Sequence, residues 1–193
     1  TNKGTVQIQA GLLSLSGGNA AGPDTGAYTI APGTFFAIDG PRDFGVGVSI
    51  TNNGTGLIRG GDVTGVATLP GYWEWSGGSI VGAGSTTVAS GSVLRITGSC
   101  GPFLEDRALV IQGRLEFVDS GRICMAGSAS VSNSGTIDIE GNGDPLYDWS
   151  GTPSVVNTGL LKKSGGTSTA RVSATFTNKG TVQIQAGLLS LSG

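Results

Sequence analysis

Residues 176–193 read FTNKGTVQIQAGLLSLSG. Apolar side chains alternate through this stretch: Val182 and Ile184, then Leu189 and Leu191, with Gln183 and Ser190 between them. That is the period of two of a short strand with one buried face. Gly187 separates the two strands and supplies the backbone freedom a sharp bend needs. The local grammar is strand, glycine, strand, and all four apolar side chains are expected to face a core.

The phrase recurs along the chain with different words. It reads ITNNGTGLIRGG at 50–61, ALVIQGRLEFVDSG at 108–121, VSNSGTIDIEG at 131–141 and VVNTGLLKKSGG at 155–166. A second phrase accompanies it as GLLSLSG (11–17), GTFFAIDG (33–40) and GSVLRITG (91–98). Gly113, Gly135, Gly159 and Gly180 mark a near-constant beat through the second half of the chain. Sandwiches and barrels space their strands by roughly 8–12 residues without this longer beat. A leucine-rich repeat would add a helical side, and no segment keeps a helical period over about ten residues. The beat fits one coil of a parallel β-helix (β-solenoid), each circuit stacking on the last at ~4.8 Å. The expected fold class is all-β, with coils of roughly 21–24 residues.

A longer repeat lies on top of the short one. TNKGTVQIQAGLLSLSG, at 1–17, returns letter for letter at 177–193. The expected organisation is therefore one continuous solenoid segment over 1–193: a repeat unit at 1–176 plus the opening of the next at 177–193. About eight coils per unit would advance roughly 38 Å along the axis. The two copies are expected at equivalent places on the coil. Open strand edges and an uncovered core require caps, and no amphipathic capping helix is legible. Identical units, covalently tandem or docked as separate chains, are the expected partners at the ends.

Composition narrows the class. The chain has 36 Gly, 7 Pro, no His, 12% charged residues and a net charge of -2. Low charge with positive mean hydropathy speaks for a folded chain. The basic footprint of a nucleic-acid binder is missing, and no run of about 18 apolar residues predicts a membrane span. Export would need a signal outside these residues.

Asn2, Asn52, Asn133, Asn157 and Asn178 each stand two places before a glycine. Stacked coils could join Asn133, Asn157 and Asn178 into an amide ladder, or each Asn could serve its own turn. Ile111 takes the equivalent place at 108–121, where any ladder should break. Cys100 and Cys124 lie about one coil apart. On neighbouring coils their Cα atoms would be ~4.8–5.5 Å apart, within disulfide range; the alternative is two thiols buried as small apolar groups.

FTNKGTVQIQAGLLSLSG (176–193), YWEWSGGSIVGAGSTTVASGSVLRITG (72–98) and VVNTGLLKKSGGTSTARVSATFTNKGTV (155–182) carry a family resemblance. The chain resembles the tandem β-strand repeats of very large secreted bacterial surface proteins, similar in outline to filamentous-haemagglutinin and autotransporter β-helices. The resemblance implies an extracellular rod or filament element, or an adhesin stalk, and brings no catalytic residues with it.

Without His, Ser-His-Asp and Cys-His arrangements and His-bearing metal sites are excluded. No glycine-rich phrase has the spacing of a phosphate loop. PFLEDRAL (102–109) gathers Glu105, Asp106 and Arg107, but adjacent carboxylates on a strand cannot face one bond. No catalytic, cofactor-binding or metal-binding residue is expected, and the chain reads as a non-enzyme. In GYWEWSGG (71–78), Trp73 and Trp75 share one face, read as core, with Tyr72 and Glu74 on the other. Tyr147 and Trp149, in DPLYDWSG, are either core or a platform facing glycans. Thr residues do not recur at a fixed place in each coil, which speaks against an ice-binding face. Three readings stand: a structural module of an extracellular fibre, a carbohydrate-binding adhesin, and a polysaccharide lyase or hydrolase.

Overall fold

The computed structural model describes residues 1–65, 67–99 and 101–193. Its strands are short, all but one of them of three to five residues, and all the sheets are parallel, as in a β-solenoid of about eight turns. Strand length follows the grammar above, since each apolar alternation ends at a glycine or polar corner.

Three faces run along the rod. Face 1 stacks β1 (Thr5–Ile8), β3 (Ala27–Ile30) and β6 (Ser49–Asn52) as one ladder. It resumes with β9 (Ala67–Leu69), β12 (Ser85–Val88), β15 (Ala108–Ile111), β18 (Ser130–Asn133), β21 (Ser154–Asn157) and β24 (Thr175–Asn178). Face 2 is one ladder of β2 (Leu12–Leu15), β4 (Phe35–Ile38), β7 (Thr55–Ile58), β10 (Tyr72–Trp75), β13 (Val93–Ile96), β16 (Arg114–Phe117), β19 (Thr136–Ile139), β22 (Leu160–Lys163) and β25 (Thr181–Ile184). Face 3 holds β5 (Arg42–Phe44), β8 (Asp62–Gly65), β11 (Ser79–Val81), β14 (Phe103–Glu105), β17 (Ile123–Gly127), β20 (Gly143–Gly151), β23 (Thr169–Val172) and β26 (Leu188–Leu191). The starts of the face-2 strands keep to the expected coil length except from Phe35 to Thr55 and from Thr55 to Tyr72. Those two coils are shorter, and they flank the break in the face-1 ladder.

Side chains from the three faces meet on the axis. Two inward rows run down face 2. One passes Phe36, Gly56, Trp73, Leu94, Leu115, Ile137 and Leu161; the other passes Ile38, Ile58, Trp75, Ile96, Phe117, Ile139 and Lys163. Trp73 and Trp75 are fully buried, in agreement with their reading as core. Their indole N–H groups donate to Pro70 O at 2.9 Å and Gly78 O at 3.1 Å, so neither leaves a buried donor idle. Gly56 makes the room: a Cβ there would lie 2.2 Å from the Trp73 ring. Trp73 instead meets Phe36 edge-on at 6.0 Å, and Phe36 stacks on Tyr28 at 4.9 Å.

On the first coil a loop stands where face 3 would have a strand. Asp24 forms a single parallel bridge with Phe44. Asn19 copies a backbone with its side chain, accepting from Asp43 N at 2.8 Å and donating to Asp43 O at 3.2 Å. The edge of β5 is thereby covered. Beneath it the Asp24 carboxylate is fully buried and accepts from Arg42 Nε (2.7 Å), Arg42 Nη2 (3.1 Å), the Tyr28 hydroxyl (2.7 Å), Asn19 Nδ2 (3.0 Å) and Asn2 N.

Two expectations need correction. The identical segments fold into the same strand pairs, β1–β2 and β25–β26, but on different faces: 1 and 2 for the first copy, 2 and 3 for the second. The reason is a count. From β1 to β25 the chain advances by twenty-five face positions, with the Asp24 bridge as one of them, and three to a coil leaves one over. Secondly, the four apolar side chains of the second copy are not all buried. By register they face inward, opposite Leu161, Lys163, Ala170 and Val172. Leu189 is 8% exposed and Val182 half-buried, but Ile184 is 56% and Leu191 43% exposed, because they sit on the terminal coil.

Candidate functional site

The outward side chains divide by chemistry. Face 1 presents small uncharged groups such as Ser85, Thr87, Ala108, Val110, Ser130 and Ser132, in two rows set by the register of its ladder. Charge collects on face 2 and aromatics on face 3.

On face 2, register lines up Glu74, Arg95, Glu116, Asp138 and Lys162 on successive coils. Arg95 Nε meets Glu116 at 2.9 Å, and Arg114 Nη2 reaches Asp138 at 2.6 Å and Glu140 at 3.2 Å. Lys162 Nζ lies 2.8 Å from Asp138, which also accepts from the Ser164 hydroxyl. Burial pushes the Asp138 carboxyl up, but the bonds from Lys162, Ser164 and Arg114 outweigh it and hold the group below the ordinary value of 3.8. Such a carboxyl is a poor proton donor near neutral pH. Burial and a 2.9 Å bond to Glu74 push the Tyr72 hydroxyl up to about 12. The ion pairs between strands pin neighbouring coils in register, whereas the Tyr72–Glu74 bond lies within one strand. Sequence reading missed the network, although its members recur once per coil, on the same beat as the glycines.

On face 3, Phe103, Cys124 and Tyr147 occupy one outward row. β20 bulges against β17: Asp148 pairs with Met125 and Ser150 with Ala126, which leaves Trp149 as the extra residue. A bulge re-aims the side chain it carries, and Trp149 is 61% exposed. Its ring lies 6.0 Å from Phe103 and 6.3 Å from Tyr147, both edge-on. The Arg122 guanidinium sits 4.9 Å over the Tyr147 ring and 3.6 Å from Asp144. Tyr147 and Trp149, left open between core and surface by the sequence, thus stand together on the outside. Cys124 is buried on this row, and Cys100 lies outside the described residues, so their expected bond does too. Glu105 and Asp106 end at a corner where Asp106, at φ 51°, accepts from Ser128 N at 2.9 Å.

The three asparagines form a hydrogen-bonded column. Asn133 Nδ2 donates to Asn157 Oδ1 at 2.6 Å, and Asn157 Nδ2 to Asn178 Oδ1 at 2.7 Å. Above them stands Ile111, paired with Asn133, and the Asn133 Oδ1 facing that end has no partner among the described residues. Two buried cations are met by carbonyls, and in one case also by a hydroxyl, instead of carboxylates. Arg107 donates to Ala83 O (3.2 Å), Ser85 O (2.9 Å) and the Thr86 hydroxyl (2.8 Å). Lys163, inside the core, donates to Gly141 O at 2.9 Å and to Gly165 O. Burial lowers the pKa of both. Among the described residues, no three His, Cys, Asp or Glu side chains gather as a metal-holding group.

Comparison with protein-family models, with curated proteins and with solved structures finds no match.

Proposed function

We propose that the chain is a structural repeat of an extracellular fibre or surface stalk, without catalytic activity or bound cofactor, that joins copies of itself end to end. One observation carries this reading: the segment that builds β1 and β2 returns letter for letter as β25 and β26, and both copies are built into the ladders of the same solenoid. Stacking another unit on the second copy would bury Ile184 and Leu191 and pair three open strand edges. The cross-strand charges and the Asn column brace the rod against slippage between coils. Chains of several tandem units, viewed by electron microscopy, should be unbranched rods that lengthen by a constant step per unit. A string of separate beads would refute the proposal.

A second reading rests on the surface cluster of exposed Trp149 with half-buried Phe103, Tyr147 and Arg122. Aromatic faces of this kind stack on sugar rings, which would make the rod a carbohydrate-binding adhesin. A glycan array with the wild-type chain and Trp149→Ala decides it: no bound glycan, or binding indifferent to the substitution, excludes this use of the cluster.

A further inference from the structure

We infer that successive units in the array are rotated by a third of a turn, so that face 1 of each unit continues face 2 of the one before. This rests on the end-to-end reading above, but fixes which surface of the next copy each open edge receives.

The identical segments act as the key. TVQI pairs with β3 on face 1 at the first copy, and with β22 on face 2 at the second. LLSL pairs with β4 on face 2, and then with β23 on face 3. Overlaying residues 1–17 of a second unit on 177–193 of the first brings the second unit's β3 to the open edge of β25. Its β4 then meets β26, and its Asp24 loop meets β24. All three vacant edges are filled and no strand is displaced.

The asparagine corners point the same way independently. Asn52, Asn133 and Asn157 each donate to the carbonyl of the first residue of the face-2 strand one coil on: Tyr72 (2.9 Å), Leu160 (3.0 Å) and Thr181 (3.2 Å). Gly54 N and Gly180 N donate to the side-chain oxygen of the Asn two places earlier. Asn2 makes the same pair of bonds, to Ala27 O at 3.1 Å and from Gly4 N at 3.0 Å, but Ala27 opens a face-1 strand. A corner that elsewhere leads into face 2 here leads into face 1. Asn2 thus carries the frame of the unit that would precede it.

The consequence is a unit of eight and one-third coils that advances roughly 40 Å at the strand spacing. The charge network, the aromatic cluster and the uncharged face would each point in three directions along the rod and return to the same side every third unit, roughly 120 Å on. No side of a long array would then be uniformly aromatic or uniformly uncharged.

The test uses residues 1–193 followed directly by residues 18–193, with cysteine pairs mapped by mass spectrometry of the oxidised protein. Lys162 and Gln183 are direct neighbours across β22 and β25, as Gln7 and Thr29 are across β1 and β3. One chain carries Lys162→Cys with Gln183→Cys; the other carries Gln183→Cys with Thr29→Cys of the second unit. The inference expects both pairs to close, each in most molecules. If electron microscopy shows one continuous rod but either pair stays open, the rotation is wrong while the array stands. If it shows two separate bodies, the array reading falls and the rotation falls with it.

Discussion

Neutralising Asp24 isolates the buried ion pair that seats the first loop. Asp24→Asn keeps the size and one acceptor oxygen but removes the charge facing Arg42. That guanidinium is 7% exposed, and beyond the one remaining amide oxygen it would keep only long contacts to Gly17 O (3.3 Å) and the Tyr28 hydroxyl (3.4 Å), with no negative charge beside it. Leaving one member of a buried pair uncompensated costs about 3–5 kcal/mol. In a chain of this size each kcal/mol is worth roughly 2–4 °C in Tm, hence a fall of roughly 6–20 °C for cooperative unfolding. Solenoid coils couple mainly to their neighbours, so the loss should be local. Hydrogen exchange should quicken in β3, β4 and β5 while β18 to β23 stay protected. Adding Arg42→Met removes the orphaned cation and should restore most of the loss. Acid gives a second readout. Burial raises the Asp24 carboxyl, but the bonds from Asn2 N, Tyr28 and Arg42 outweigh it, so the folded pKa lies below 3.8. Its contribution is present above that unfolded value and disappears as pH falls through the folded one. Asp24→Asn should lose less on acidification than wild type. A cost under about 1 kcal/mol, or uniform deprotection of the whole rod, would refute the reasoning.

Three further outcomes are expected. Lys163 has a folded pKa below its ordinary value of 10.5 because burial disfavours its charge; that penalty fades as pH rises through the folded value to 10.5, so urea midpoints should climb as pH approaches 10.5, and Lys163→Met should flatten that rise. Asn157→Ala breaks two rungs at once and takes from buried Asn133 the acceptor of one of its two amide bonds, for a cost of about 1–3 kcal/mol, whereas Asn178→Ala, at the exposed end of the column, should cost less; equal losses in denaturant titrations would count against a cooperative ladder. Gly56→Ala forces a methyl against the Trp73 ring and should destabilise by about 1–3 kcal/mol, and Trp73→Leu in the same chain should relieve part of it; a neutral Gly56→Ala in thermal melts would mean the coils shift freely there.

Much of this protein was legible in one dimension because a solenoid keeps its order in the chain. Alternation in TVQI and LLSL named the strands, and the beat of Gly113, Gly135, Gly159 and Gly180 named the coil, since residues one circuit apart become neighbours in a parallel ladder. The same logic foretold the break in the asparagine column at Ile111. Tertiary structure decided what depends on counting every turn, including turns without a strand. The Asp24 bridge occupies a whole face position in a loop whose sequence shows no alternation, and it moves the second copy of the repeated segment one face around the rod. The surface cluster of Trp149 also needed coordinates, because a bulge breaks the period of two from which a side chain's direction is read. Local pattern fixes strand and coil through sterics and burial; the phase of the copies follows from the sum of all corners, which no single stretch of sequence contains.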